Sequence, residues 1–247
     1  MDNWRARLGW VVPSWNTVTE YEVARLTALE ASNHFTRSRH TEDTEAAFSA
    51  MVDEAPAAVE LLAHARLDAT VFACTAASFY RGREADLRLG EQLSSAARMP
   101  VITMADAIVR ATAHLGAERI VVGAPYETWL GRLLVTYLTE AGFDVLGSAF
   151  LGDQAYVEHA PDKALELARR GWHDGAEAIV ISCGNFRTLE SIDRIEAEFG
   201  VPAVTSIQAG VWAVSREAGL PFRSDAPGAL LRRTPSSAPM GASQRSS

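Results

Sequence analysis

The chain has 247 residues, 48% hydrophobic and 22% charged, which suits one large or two small domains with a substantial core, and it holds no apolar run near the ~18 residues of a membrane span. A formal net charge of −8 supplies no basic face for a phosphate backbone and argues against nucleic acid, while an anionic small ligand would need local compensation. Two cysteines 109 positions apart fit neither a disulfide framework nor a paired zinc site, and the start Met1-Asp2-Asn3-Trp4-Arg5 lacks the marks of an export signal, so free thiols in a cytoplasmic protein are expected.

In chain order, Arg7-Leu8-Gly9-Trp10-Val11-Val12-Pro13 reads as a short buried strand, and Ser14 to Glu20 as a polar turn entering a helix. The apolar run Ala69 to Cys74 is a second strand ending in cysteine. Met99-Pro100-Val101-Ile102-Thr103 then leads into a helix from Asp106 to Leu115. From Arg119 the pattern starts again. Arg119 to Pro125 repeats the first strand, and the following helix places Leu130, Leu133, Leu134, Tyr137 and Leu138 on one face. Ala178 to Cys183 repeats the strand ending in cysteine, and Val201-Pro202-Ala203-Val204-Thr205 leads into a helix from Gln208 to Ala218. Pro13 to Cys74 is 61 residues and Pro125 to Cys183 is 58, so the duplication sets a thiol at equivalent points.

The predicted fold is α/β, with two pseudo-symmetric, Rossmann-like half-domains, each a β-α-β-α unit whose parallel sheet is covered by helices on both faces. The first half-domain covers residues 1–115 and the second 116–220, with helix 208–218 free to dock back on the first. Residues 223–247 include 11 Gly, Pro or Ser among 25 and read as a mostly disordered tail.

Parallel sheets bind ligands beyond the carboxyl ends of their strands, where both cysteines sit. A pseudo-two-fold axis would make those ends face one another, bringing Cys74 and Cys183 to one cleft from opposite sides. A cysteine just before a helix has its thiolate stabilised by unpaired N–H groups and the helix dipole. Thr75, Ala76, Ala77 and Ser78 after the first cysteine, and Gly184 after the second, leave room for a carboxylate at backbone donors. Two opposed thiols support proton removal on one face with return on the other, or addition of one thiolate to an alkene while the second handles the proton; neither route needs a cofactor. One cysteine ending a buried strand is ordinarily a small core residue. Two at matching positions, with no others in the chain, read as functional.

At these residues the sequence resembles the maleate cis-trans isomerase, arylmalonate decarboxylase and Asp/Glu racemase superfamily, over roughly residues 7 to 220. The resemblance is carried by Val12-Pro13-Ser14-Trp15-Asn16-Thr17 with Glu20, Cys74-Thr75-Ala76-Ala77-Ser78-Phe79, Pro125-Tyr126, Ser182-Cys183-Gly184-Asn185-Phe186-Arg187-Thr188, and Thr205-Ser206-Ile207-Gln208-Ala209 with Trp212. It implies a cofactor-independent enzyme closest to the maleate isomerase branch, with Cys74 as nucleophile and Cys183 as the opposing acid or base. In that branch the first cysteine adds to the double bond to give a succinyl-like adduct. Asn16 and Tyr126 match positions that hold substrate carboxylates, donating hydrogen bonds without a competing charge. Ser14, Thr75, Gly184 and Asn185 complete the expected contacts. The resemblance also implies a small-molecule carboxylate substrate and a homodimer.

Departures from the family pattern bear on the substrate. The Gly-rich segment often found after the first cysteine is Tyr80-Arg81-Gly82-Arg83, the usual Thr after the second is Gly184, and an asparagine after the middle strand has no match in Leu151-Gly152-Asp153-Gln154-Ala155. An Asp/Glu-type racemase or epimerase, a relative in ectoine or other amino-acid catabolism, and a non-catalytic metabolite-binding protein remain alternatives. Arylmalonate decarboxylases characteristically keep only the second cysteine, so Cys74 argues against that activity.

Plainer roles stand beside these. Asn16 is suited to cap the helix after it, and Tyr126 to pack as an aromatic at a helix start. Arg81 and Arg83 have the chemistry of carboxylate clamps, although such side chains are more often solvated. The six histidines form no ligand pair, so no metal is expected. No Gly-x-Ser-x-Gly elbow or Gly-x-Gly-x-x-Gly loop points to a serine hydrolase or a nucleotide site.

Overall fold

The duplicated pattern folds, in a computed structural model that describes residues 5–233, into two four-stranded sheets that are parallel throughout. The first is built from β1 (Ala6–Pro13), β2 (Ala31–Ser38), β3 (Ala69–Phe72) and β4 (Val101–Thr103), in the order β2-β1-β3-β4. The second repeats it with β5 (Arg119–Ala124), β6 (Asp144–Phe150), β7 (Ala178–Ile181) and β8 (Ala203–Thr205), in the order β6-β5-β7-β8. The edge strands β2 and β6 enlarge the expected β-α-β-α units. Their sequences lack a buried apolar run: β2 reads Ala-Ser-Asn-His-Phe-Thr-Arg-Ser and is half-exposed along most of its length.

Helices α1 (Thr19–Leu26), α2 (Glu45–Ala63), α3 (Thr75–Phe79), α4 (Arg83–Ala97) and α5 (Met104–His114) belong to the first repeat. Helices α6 (Thr128–Glu140), α7 (Asp162–Gly171), α8 (Ile192–Phe199) and α9 (Ser206–Glu217) belong to the second, and α10 (Ala229–Arg233) ends the described chain. Helices α5 and α9 each begin two residues before the expected start. The reason is local: Thr103 and Thr205, the last residues of their strands, cap the helices by accepting the N–H of Asp106 and of Gln208.

These two equivalent helices pack against each other, and α9 also meets α1, β3 and β4 of the first repeat. Gly210 permits that approach, since a Cβ there would lie 2.9 Å from the Met104 sulfur. The core runs through both halves. It includes Trp10, Phe72, Phe79 and Met104 from the first and Tyr126, Tyr137, Ile181 and Phe186 from the second.

The start of the predicted disordered tail is instead ordered. Leu230 and Leu231 of α10 are buried, and the helix packs on α9 and β8. The Glu196 carboxylate accepts the Ala229 N–H at 2.7 Å, and Gln208 Nε2 donates to the Pro227 carbonyl at 3.1 Å. Three consecutive apolar residues, Ala229-Leu230-Leu231, provide an anchor that the surrounding Pro, Gly and Ser obscured. Residues 234–247 lie outside the described residues.

Candidate active site

Strands β3 and β7 each stop two residues before their cysteine, so the thiols lie just past the carboxyl ends of the central strands. Cys74 sits directly before α3. Cys183 has φ +116°, a conformation that a residue with a Cβ adopts only when its surroundings hold it there. One restraint is the Ser206 hydroxyl oxygen, which accepts the Cys183 N–H at 2.9 Å.

Both cysteines line the same cavity. Of the residues expected beside them, Asn16, Thr75, Tyr126, Gly184 and Asn185 also line it; Ser14 does not. Ser14 is exposed, and its hydroxyl grips the main chain of His40, accepting the N–H at 3.0 Å and donating to the carbonyl at 3.2 Å. The side chain lies past the end of β1 and holds the segment that forms one wall.

Asn16 combines a cavity position with a structural role. Its Oδ1 accepts the N–H groups of Val18 and Thr19 at the start of α1, and its Nδ2 donates to the Gly184 carbonyl at 2.9 Å. One amide hydrogen remains for a ligand. Asn185 mirrors it, its Oδ1 accepting the Thr17 N–H at 3.0 Å. With Thr19 Oγ1 donating to the Gly184 carbonyl at 2.8 Å, these bonds tie the turn after β1 to the turn after β7. Tyr126 is buried, with its hydroxyl 3.3 Å from Ser182 Oγ.

Arg81 and Arg83 stay outside the cavity. Arg83 is not a solvated cation. It reaches Asp106 at 2.7 Å and the Tyr137 hydroxyl at 2.8 Å, within a cluster that includes buried Asp86. Arg81 donates to Ser49 and lies over the Tyr80 ring.

Sequence reasoning missed one wall of the cavity: Trp15, His40, Asp43 and Tyr156. His40 Nε2 lies 3.1 Å from Asp43 Oδ1, the Tyr156 hydroxyl donates to Asp43 Oδ2, and the Asp43 N–H donates to Gln154 Oε1 at 3.0 Å. The Trp15 ring meets His40 and Tyr156 edge-on. The His40-x-x-Asp43 spacing was the only local hint, and it occurs in a loop with no periodicity. Among the described residues, no group of three His, Cys, Asp or Glu is placed to hold a metal ion.

The electrostatics correct a further expectation. Burial pushes the Cys74 thiol up to about 12, against the N–H groups of Ala77 and Ala76, which favour the thiolate, and the Asp43 charge adds to the rise. Cys183 is likewise raised well above the ordinary thiol range, by burial first, although the Asn185 N–H and the Tyr126 hydroxyl pull the other way. Helix α3 has only five residues, too short for its dipole to overcome desolvation. The resting pair keeps both protons at neutral pH.

Duplicated parallel sheets, with a thiol past the third strand of each and one cavity between them, define a two-thiol α/β architecture. The model of the arylmalonate decarboxylase family matches residues 39–231. A maleate isomerase from Pseudomonas putida is 31% identical over 241 residues, 91% of this chain and 96% of the relative. The structure of a maleate isomerase from Pseudomonas putida S16 with maleate superposes with a TM-score of 0.88 at 27% identity, covering 92% of this chain and 97% of that one. A cysteine-to-serine variant of the Nocardia farcinica maleate cis-trans isomerase, with a covalently bound succinylcysteine intermediate, superposes at 0.87 with 25% identity, covering 93% and 99%. The chain belongs to the arylmalonate decarboxylase family, and its similarity to maleate isomerases runs through nearly the whole fold.

Proposed function

We propose that the chain is a cofactor-independent cis-trans isomerase of maleate or a close unsaturated dicarboxylate. The observation that carries this reading is the pair of thiols on one cavity; the succinylcysteine in the Nocardia relative supports it. Cys74 first gives up its proton to solvent, and the resulting thiolate adds to one alkene carbon, forming a C–S bond. The displaced π pair moves to the neighbouring carbon, which takes the proton of the Cys183 thiol. Rotation about the resulting single bond exchanges cis for trans. The Cys183 thiolate then withdraws the proton, the alkene re-forms, and the C–S bond breaks to release the product and regenerate the Cys74 thiolate.

Asn16, Thr75, Tyr126, Gly184 and Asn185 hold the substrate with neutral donors; among the described residues no Lys or Arg lines the cavity. Ser14 supports the wall through His40. No helix among the described residues is long and apolar enough to cross a membrane. A cytoplasmic setting, which keeps both thiols reduced, and a homodimer complete the reading.

The test is mass spectrometry of the protein incubated with maleate, together with NMR of the product. A substrate-sized increment on Cys74 and the appearance of fumarate are expected. Turnover without any such adduct sinks the covalent route.

A further inference from the structure

The wall formed by His40, Asp43 and Tyr156 bears on which unsaturated acid the cavity accepts. All three residues are buried, at 2%, 6% and 3% exposure, and all three line the cavity. Among the described residues that line the cavity, Asp43 is the only carboxylate. A second carboxylate on the ligand would therefore enter a low-dielectric space facing an anion of the protein, which is costly without a cation to offset it.

Apart from the indole N–H of Trp15, the hydrogen-bond inventory gives that wall the polarity of an acceptor. The Asp43 carboxylate on Nε2 holds a ring hydrogen of His40 there, and in that tautomer Nδ1 is an acceptor. That Nδ1 is buried and has no partner among the described residues. Leaving such an atom without a partner is costly, and a donor on the ligand would relieve it. Tyr156 gives its hydroxyl hydrogen to Asp43 Oδ2, so its oxygen also remains an acceptor. The asparagines have the opposite bias. Asn16 and Asn185 commit their carbonyl oxygens to backbone N–H groups, so what they offer a ligand is amide hydrogen.

We propose that the cavity is built for an unsymmetrical substrate, a cis-unsaturated four-carbon acid with a carboxylate at the Asn16 and Asn185 side and a hydrogen-bond-donating amide at the His40, Asp43 and Tyr156 side. The proposal rests on the isomerase reading and narrows its substrate class from dicarboxylates to their half-amides. The –NH₂ of an amide supplies two donors to a wall of acceptors and brings no charge against Asp43. Thiol addition, rotation and elimination proceed as they do for the dicarboxylate, and the amide bond is untouched.

The experiment compares kcat/KM for maleate and for its half-amide on the full chain. The half-amide is expected to be preferred at least about tenfold, because a site of buried acceptors rejects a ligand that leaves them unpaired. In Asp43→Asn, which removes the charge and adds a donor, the preference should narrow or reverse. A second measurement needs no variant: calorimetric affinity of the unmodified protein for the saturated pair, succinate and its half-amide, with the half-amide expected to bind at least about tenfold more tightly. Equal or better use of maleate, or equal or tighter binding of succinate, overturns the proposal. Adduct formation on Cys74 is scored in the same samples. Its absence with both acids, together with no isomerisation, defeats the isomerase reading, whereas the affinity ratio of the saturated pair judges the substrate class separately.

Discussion

The Thr75 hydroxyl donates to Ser206 Oγ at 3.1 Å, and the same Ser206 oxygen accepts the Cys183 N–H, so one serine joins the residue after the first thiol to the backbone of the second. The two hydroxyls are 131 positions apart in sequence and both are buried. Cys183 is held at positive φ at this point, which makes Ser206 a positioning residue for its sulfur. Ser206→Ala should cost roughly 1–3 kcal/mol in denaturant unfolding, since the Cys183 N–H and the Thr75 hydroxyl lose a buried partner. It should also lower kcat more than it changes KM. An unchanged kcat at reduced stability would assign Ser206 to folding alone.

Removing the proton-handling thiol should separate addition from release. Cys183→Ser is expected to lower turnover by about 10²–10⁴-fold, the usual span for a positioned acid or base, while an adduct accumulates on Cys74. Cys74→Ser should abolish both turnover and adduct. Intact-mass spectra of the two variants after incubation with maleate check this; an adduct on Cys74→Ser would reassign the nucleophile.

The raised Cys74 thiol predicts a distinctive labelling profile. An ordinary cysteine approaches its full alkylation rate once pH passes its pKa of roughly 8.5. With burial holding Cys74 up at about 12, its labelling by iodoacetamide should be slow at neutral pH and still be rising through the alkaline range in which an ordinary thiol has levelled off. Peptide mapping of the folded protein measures this. A plateau near the ordinary value would mean that the free cavity is wetter than the structure makes it.

Glu22 offers a stability test away from the thiols. Its carboxylate accepts the Thr188 N–H at 2.7 Å, the Leu189 N–H at 3.0 Å and the Thr188 hydroxyl at 3.2 Å, fastening α1 to the loop beyond Cys183. Burial outweighs these bonds and raises the carboxyl from 4.5 to about 7. Between those values the unfolded chain has released a proton that the folded chain keeps. Stability from this group therefore falls as pH rises through the window, by as much as ~3 kcal/mol, and is level above it. Asp86, raised to about 6 by burial, acts in the same direction. The measurement is thus the difference between wild type and Glu22→Gln in denaturant unfolding at about pH 5 and about pH 8. The variant should lose less stability across the interval; parallel losses would exclude Glu22 as the titrating group.

Much of the fold was legible because its signals are local. Val11-Val12 and Val121-Val122 lie in strands whose apolar runs mark them as buried on both faces, and each run that leads to a cysteine points to a carboxyl end. Thr103 and Thr205 could have been read as caps from their positions before helical segments. The edge strand β2 could not, because a half-exposed strand with a polar sequence carries no run to detect.

The sequence alone determined the duplication, the parallel sheets and the placing of Cys74 and Cys183 at matching strand ends, since hydrophobic spacing and chain order are properties of short segments. The tertiary structure decided which side chains meet. It brought His40, Asp43 and Tyr156 from two loops 113 residues apart at the Asp43–Tyr156 contact, turned Ser14 away from the cavity, and drew Arg83 into the Asp86, Asp106 and Tyr137 cluster. It also reversed the expected acidity of the thiols, because desolvation depends on how completely the halves close over the sulfur atoms, and that closure is a sum of long-range contacts that no local pattern encodes.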